Sequence, residues 1–183
     1  PEGSGAMSAV LGMDAEVIED VLNGREGVSI ANYNCPGQIV ITGEADAVAE
    51  AGTVLKEAGA RRVLPLKVSG PFHSPMMRPA GEELAKVFAR VSMNPLKIPY
   101  VANINAEVIT DCGRIEGLLV EQVSGSVRWQ QSVETMIREG VDTFVEIGPG
   151  KTLTGFLRKI DKNVKAYHIG SWEEAVQVCE ELK

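Results

Sequence analysis

The chain has 183 residues, of which 44% are hydrophobic and 23% are charged, a composition ordinary for a globular protein. Its formal net charge of −7 argues against a general nucleic-acid binder, because such proteins present a basic surface. No apolar run is long enough to span a membrane and the start does not look like a secretory signal, so we expect a cytoplasmic protein.

Residues 5–68 predict the element order β-α-β-β-α-β. Alternating apolar residues, helical spacing and turn residues give four strands and two helices. The predicted strands are residues 6–13, 28–33, 38–43 and 61–68, and the predicted helices run from Asp14 to Asn23 and over residues 45–58. This order is that of the ferredoxin-like split βαβ fold, in which two helices cover one face of a four-stranded antiparallel sheet.

Residues 69–183 predict alternating helices and strands, which is typical of an α/β layer with a largely parallel sheet. The predicted helices are residues 79–91, 115–123, 126–138, 153–160 and 172–182, and the predicted strands are residues 100–105, 143–147 and 165–169. The change of pattern at residues 68–71 divides the chain into two domains, 5–68 and 69–183.

One of only two histidines, His73, lies beside this boundary. It follows an apolar strand and a Gly-Pro turn and precedes a predicted helix. A histidine at a domain junction can face a ligand cleft, where proton transfer is useful. Position alone favours a residue that merely packs at a strand-to-helix corner.

Two other features of the sequence, a glycine-rich turn and a cysteine, suggest chemistry. The stretch Gly-Pro-Gly-Lys-Thr at residues 148–152 resembles a phosphate loop, but Val145 occupies the place of the required first glycine. Cys35 could be a nucleophile paired with His73, although a catalytic cysteine needs an exposed, electropositive site. The three cysteines are far apart and predict free thiols rather than a disulfide framework.

Neither a serine nucleophile nor a metal site can be recognised. The serine elbow Gly-x-Ser-x-Gly does not occur in the sequence. The serines in turns or at helix edges, which lack the elbow's glycine pair, are Ser69, Ser74, Ser124 and Ser126. Two histidines with no cluster of acidic residues or cysteines nearby give no metal-ligand spacing, so we expect no metal.

Four sequence blocks together are similar to the malonyl-CoA:acyl-carrier-protein transacylases and to the acyltransferase domains of polyketide and fatty acid synthases. The blocks are Asn-Tyr-Asn-Cys-Pro-Gly-Gln at 32–38, Ser-Gly-Pro-Phe-His-Ser-Pro at 69–75, Val-Arg-Trp at 127–129 and Glu-Ile-Gly-Pro-Gly-Lys at 146–151. They occur in the family's order and spacing, and the resemblance covers essentially the whole chain.

The resemblance implies an α/β fold with a ferredoxin-like βαββαβ subdomain followed by the C-terminal part of an α/β-hydrolase-like acyltransferase core. It implies malonyl transfer from coenzyme A to the phosphopantetheine thiol of acyl carrier protein, in fatty acid synthesis. Malonyl-CoA would be a substrate, and no cofactor would be bound permanently. Acyl carrier protein would be the partner, with neither nucleic acid nor membrane involved.

The resemblance also assigns roles to individual residues. His73 matches the general base that activates the serine and then acts as acid toward the leaving thiol. The main-chain carbonyl of Arg128 matches the group that orients this histidine. Phe72 matches a ring that disfavours an α-methyl branch on the substrate.

Two further pairs of residues take binding roles by the same resemblance. Asn32 and Asn34 lie on a turn that borders the cleft. Arg61 and Arg62 match a basic region that docks the acidic carrier protein.

The family has a long N-terminal portion that is not found in this sequence. That portion holds the oxyanion segment, the serine elbow and the arginine that pairs with the malonyl carboxylate. We therefore expect a C-terminal fragment that is inactive alone, with apolar surface uncovered where the missing portion would pack. Two alternatives stay open: a ferredoxin-like binding or regulatory module indifferent to His73→Ala, and an enzyme that uses Cys35.

Overall fold

The computed structural model describes residues 3, 5–68 and 70–183. Its strands are β1 (Gly5–Leu11), β2 (Val28–Cys35), β3 (Gln38–Glu44), β4 (Arg62–Pro65), β5 (Tyr100–Val101), β6 (Val108–Ile109), β7 (Thr143–Ile147) and β8 (Lys165–Ile169). Its helices are α1 (Ala15–Leu22), α2 (Ala45–Glu57), α3 (Arg78–Phe88), α4 (Ile115–Ser124), α5 (Trp129–Arg138), α6 (Thr152–Ile160) and α7 (Trp172–Glu181).

The first four strands form one antiparallel sheet in the order β2-β3-β1-β4. A two-residue turn at Pro36 and Gly37 joins β2 to β3, and β1 pairs with β3 along its whole length. Apolar side chains from the strands and from α1 and α2 make the main core. Its fully buried members are Val10, Ile18, Ile41, Ala51 and Leu55. The two helices therefore cover one face of the sheet.

Strand β4 is shorter than predicted. The alternation of Leu64, Leu66 and Val68 predicts pairing up to residue 68, but the ladder with β1 ends at Pro65, apart from one further bond from Leu66 N–H to Met7 O at 2.9 Å. The N–H of Val68 then donates back to Leu66 O at 3.0 Å, which bends the chain away from β1. The chain thus leaves the sheet just before His73.

The remaining elements pair in two separate small sheets. The predicted parallel arrangement holds for β7 and β8, but β5 and β6 are antiparallel. The prediction of one strand over residues 100–105 is wrong, because Ala106 N–H donates to Ala102 O at 2.8 Å and closes a hairpin. The helix predicted from residue 126 begins at Trp129, since the residues before it pair with β2.

A short extended segment joins the two parts of the chain. Val127 N–H donates to Ala31 O at 2.7 Å, and Tyr33 N–H donates to Val127 O at 2.9 Å. The Ser126 hydroxyl donates to Ile30 O at 2.6 Å. These bonds place residues 126–128 along the free edge of β2, so the edge strand is not left unpaired.

Within the described ranges, no helix is both long and apolar enough to cross a membrane.

The hairpin between β2 and β3 depends on Gly43. Its φ is 148°, and a Cβ at this position would lie 2.0 Å from the carbonyl oxygen of Gly27. Gly43→Ala is therefore expected to reduce the free energy of unfolding by about 2–6 kcal/mol, the sum of a strained φ and an overpacked contact. Urea unfolding followed by circular dichroism measures this loss.

Gly24→Ala is the matched control, because Gly24 also has a positive φ, 75°, but no atom lies within 4 Å of the added Cβ. It is expected to cost only about 1–2 kcal/mol, the left-handed penalty alone. Equal losses for the two variants would show that the contact with Gly27 does not limit the hairpin.

Candidate functional site

His73 lies in a turn whose backbone is held in an unfavourable conformation. Its φ is 58°, a left-handed value that residues other than glycine rarely adopt. The fully buried Ser74 donates its hydroxyl to Pro71 O at 2.6 Å. Pro71 packs against Gly5, where an added Cβ would lie 2.4 Å from the proline ring. Surroundings that enforce such strain are common at functional sites.

The imidazole of His73 is oriented by helix α4. Its Nδ1 lies 3.0 Å from the main-chain oxygen of Gln122. Gln122 belongs to the last turn of α4, where carbonyl groups have no partner within the helix. Because a carbonyl only accepts, Nδ1 carries the hydrogen in the neutral ring, and Nε2 has the free lone pair. Nε2 is thus available to take a proton from an incoming group.

The prediction that the Arg128 carbonyl orients His73 is wrong. Arg128 precedes α5, so its oxygen accepts the first bonds of that helix, from Ser132 N–H at 2.9 Å and from the Ser132 hydroxyl at 2.7 Å. Its guanidinium lies over the ring of Tyr33, 5.6 Å from the centroid. Arg128 therefore helps to join β2 to α5, and Gln122 is the residue that the sequence did not reveal.

The expectation that Asn32 and Asn34 lie on a turn is wrong, because both belong to β2, where they flank Tyr33. Tyr33 packs in the core beneath the helices, and its hydroxyl donates to Glu19 at 2.7 Å. Burial, together with the bond to Glu19, raises the pKa of Tyr33 to about 12. Asn32 pairs with Val40, which belongs to the small core on the other side of the sheet, so Asn32 lies on the face away from α1 and α2. Asn34 lies at a register shift between Tyr33 and Cys35, where the alternation of faces is interrupted. In the part of the chain described, neither amide bonds directly to His73.

Phe72 is 40% exposed beside His73, which is unusual for so large an apolar ring. Three apolar side chains on the segment leading to it are similarly exposed, and we call this set the apolar rim: Leu64, Leu66, Val68 and Phe72. Leu64 and Leu66 are spaced two residues apart and share one side of the chain, whereas Val68 follows the bend closed by its bond to Leu66 O. The segment that leads to His73 therefore carries exposed apolar side chains.

Arg61 and Arg62 are exposed at the start of β4. Within the described residues neither takes part in an ion pair. Their charges remain available to an acidic partner.

Cys35 is not placed as a nucleophile. The predicted turn position is in fact the last residue of β2, and its side chain is fully buried. Burial raises the pKa of the Cys35 thiol, which lowers the fraction of the reactive thiolate. The hypothesis that Cys35 acts with His73 is therefore wrong.

The described serines near the site are engaged elsewhere. The hydroxyls of Ser74 and Ser126 both donate to backbone carbonyls, of Pro71 and of Ile30. Ser69 lies outside the described residues. The base thus has no serine partner among residues 5–68 and 70–183.

The Gly-Pro-Gly-Lys-Thr turn leads into α6, as predicted, but two N–H groups in the first turn of α6 are already bonded. The Glu146 carboxylate accepts from Leu153 N–H at 3.1 Å and from Thr154 N–H and hydroxyl, both at 2.7 Å. Burial opposes ionisation of Glu146, yet the bonds from Thr154 and Leu153 hold its pKa below the usual value. A side-chain carboxylate therefore fills the place that a phosphate would take.

The other histidine, His168 in β8, is hydrogen-bonded to this turn and is not part of the site around His73. Its Nε2 lies 2.9 Å from Gly148 O. Across the described residues, no group of three histidine, cysteine, aspartate or glutamate side chains could hold a metal ion.

Comparison with known proteins gives consistent similarities. The sequence profile of the family described as "Acyl transferase domain" matches residues 2–178. The malonyl CoA-acyl carrier protein transacylase of Bacillus subtilis (strain 168) is 43% identical, with 100% of this chain and 59% of that protein covered.

Two solved structures resemble the whole described fold. The acyl-carrier-protein-S-malonyltransferase of Bartonella henselae superposes with a TM-score of 0.94 at 40% identity, over 100% of this chain and 59% of that one. A chain from the structure of a type II polyketide acyl-carrier protein in complex with its malonyl-transacylase superposes with a TM-score of 0.92 at 37% identity. The match covers 99% of this chain and 60% of that one. The chain thus spans about three-fifths of the length of these relatives.

Proposed function

The chain belongs to the acyl transferase domain family, and from this membership we propose that it is the base-bearing portion of an acyl-carrier-protein S-malonyltransferase. The observation that carries the proposal is the contact of His73 Nδ1 with Gln122 O at 3.0 Å. It leaves Nε2 free as a proton acceptor on the residue that directly follows the apolar rim. The relatives named as malonyl transacylases supply the substrate class.

In the proposed reaction, Nε2 of His73 removes the proton from a serine hydroxyl as that oxygen attacks the thioester carbonyl of malonyl-CoA. The carbon–sulfur bond then breaks, and His73 gives the proton to the departing coenzyme A sulfur. In the second half, Nε2 takes the proton of the carrier protein's phosphopantetheine thiol, which attacks the malonyl-serine ester. The serine oxygen leaves and regains the proton from His73.

The position of Gln122 favours this cycle. Its carbonyl belongs to the C-terminal turn of α4, where the helix dipole has its negative end. A cation near this end is stabilised, so the imidazolium formed in each half-reaction is favoured. The same carbonyl holds the ring in one tautomer throughout.

We assign the serine, the oxyanion donors and the carboxylate-binding arginine to the portion of the relatives that precedes the matched region. Within the described residues, β7 pairs only with β8, and Val145 and Ile147 on it are 36% and 78% exposed. Parallel strands are normally covered on both faces. This exposed strand is where we expect that portion to pack.

The two-part organisation is proposed on the same basis. Residues 5–68 would be a ferredoxin-like subdomain, which the sheet order β2-β3-β1-β4 supports. Residues 69–183 would be the C-terminal part of an α/β-hydrolase-like core. The active site would lie between them, with His73 at the junction.

The binding roles complete the proposal. Asn32 would face the substrate from β2, because it lies on the strand face away from α1 and α2, and Asn34, by the family resemblance, would border the cleft beside it. The exposed ring of Phe72 would exclude an α-methyl branch from the acyl group. Arg61 and Arg62, exposed and without ion pairs among the described residues, would contact the acidic carrier protein.

A chimera tests the proposed function. Residues 1–183 replace the matched 59% of the Bacillus subtilis relative, and the product is assayed with malonyl-CoA and carrier protein. We expect malonyl-carrier protein to accumulate, measured by intact mass. A folded chimera that transfers no malonyl group would refute the proposal.

A further inference from the structure

We propose that Gln122 is a positioning residue. Its carboxamide, together with the Ser126 hydroxyl, fixes the conformation at the C-terminal end of α4, and this keeps the Gln122 carbonyl hydrogen-bonded to His73. The inference rests on the proposed function only in taking His73 as the base. The hydrogen bonds themselves stand without it.

The carbonyl of Gln122 is free because α4 stops early. In a continuing α-helix, the N–H of residue 126 would bond to the oxygen of residue 122. The helix instead ends at Ser124, and Gly125 is extended, with φ −110° and ψ 160°. One more helical residue would therefore set the backbone in competition with His73 for the same oxygen.

The side chain of Gln122 fixes this exit from the helix. Its Nε2 donates to Gly125 O at 3.0 Å and to Ser126 O at 3.3 Å. Both acceptors lie in the extended segment, so the carboxamide bonds the exit in its non-helical path. Its Oε1 is buried without a hydrogen-bond partner among the described residues. A buried oxygen without a hydrogen-bond partner lowers the stability of the fold. The carboxamide therefore contributes here through the N–H bonds that it donates.

Hydrogen bonds to the sheet also fix the segment that follows α4. The Ser126 hydroxyl donates to Ile30 O at 2.6 Å, and Val127 N–H donates to Ala31 O at 2.7 Å. The exit of α4 is thus tied to β2, the strand that also carries Asn32 and Asn34. The geometry at His73 depends on the sheet through Gln122 and Ser126, although within the described residues neither side chain is hydrogen-bonded to the imidazole.

Histidine nitrogen NMR tests the proposal in the 183-residue chain without any transfer activity. The chain has only two histidines, and the spectrum of His73→Gln assigns both. Long-range proton–nitrogen correlations report which ring nitrogen is protonated. The parent is expected to show His73 as a single tautomer with the hydrogen on Nδ1.

Gln122→Met removes both side-chain donors and leaves the main-chain carbonyl in place. We expect the single tautomer to be lost and signals of the Nε2–H form to appear. Gln177→Met is the matched control, because Gln177 Nε2 also donates one bond of 3.0 Å, to Glu181 on the exposed face of α7. It is expected to leave the His73 tautomer unchanged.

Ser126→Ala is expected to produce the same mixture, and Ser126→Thr, which keeps a hydroxyl, is expected to restore the single tautomer. If Gln122→Met does not fold, this pair decides the question. An unchanged Nδ1–H tautomer in folded Gln122→Met, or in Ser126→Ala, would overturn the proposal. A failed chimera assay would instead affect only the proposed function.

Discussion

Replacing His73 by glutamine in the chimera is expected to lower kcat/KM for malonyl transfer by about 10²- to 10⁴-fold, the usual contribution of a positioned general acid–base. Glutamine approximates the size of the ring and can still donate to Gln122 O, but it cannot take up and release a proton near neutral pH. The initial rate of malonyl-carrier protein formation, followed by mass spectrometry, measures the loss.

His168→Gln is the matched control, because it makes the same change at the other histidine. His168 bonds to Gly148 O in the turn before α6 and does not contribute to the site around His73. We expect its transfer rate to stay near that of the parent chimera. Equal losses in the two variants would indicate a general effect of removing an imidazole and would contradict the role of His73.

Replacing Ile147 by aspartate is expected to leave the 183-residue chain folded but to weaken strongly its association with the preceding portion of the relative. Ile147 is 78% exposed at the end of β7, so a charge there stays in water while the chain is alone. Covered by the added portion, the carboxylate would lose its hydration, which costs several kcal/mol when no partner is present. Titration by calorimetry should show binding weakened by at least about 10²-fold.

Leu182→Asp provides the comparison, since it introduces the same charge at an apolar residue that is 48% exposed at the end of α7. It is expected to bind the added portion like the parent. If Ile147→Asp also binds like the parent, β7 is not the strand on which that portion packs.

Elements with strong local signals are predicted correctly from the sequence. The strands predicted from apolar residues at β1 and β3 and the helix predicted from the Ala-rich pattern of α2 match the described bounds within one or two residues. Where the predicted end of a strand is wrong, the physical cause is one that the alternation of apolar residues does not reveal. The pattern of Leu64, Leu66 and Val68 continues, but the backbone bond from Val68 to Leu66 ends the pairing. A predicted turn residue, Cys35, instead lies in β2.

The candidate site also contains one residue that the sequence reveals and one that it does not. His73 is recognisable because its motif is local in the sequence, from the Gly-Pro turn to Ser74. Gln122 is not recognisable, because the bond to His73 spans 49 residues and uses a main-chain oxygen, which any residue has. The resemblance assigns the orienting carbonyl to Arg128, which comes later in the chain. The carbonyl of Arg128 is used instead by the first turn of α5. Only the packing of α4 beside the His73 turn settles which carbonyl is free.

The most direct test of the account mixes the purified 183-residue chain with the separately purified preceding portion of the Bacillus subtilis relative, malonyl-CoA and holo-acyl carrier protein. Intact mass of the carrier protein is then followed over time. We predict malonyl-carrier protein only when both pieces are present and His73 is intact. Transfer by the 183-residue chain alone, or none from a mixture in which the folded pieces bind each other, would contradict the account.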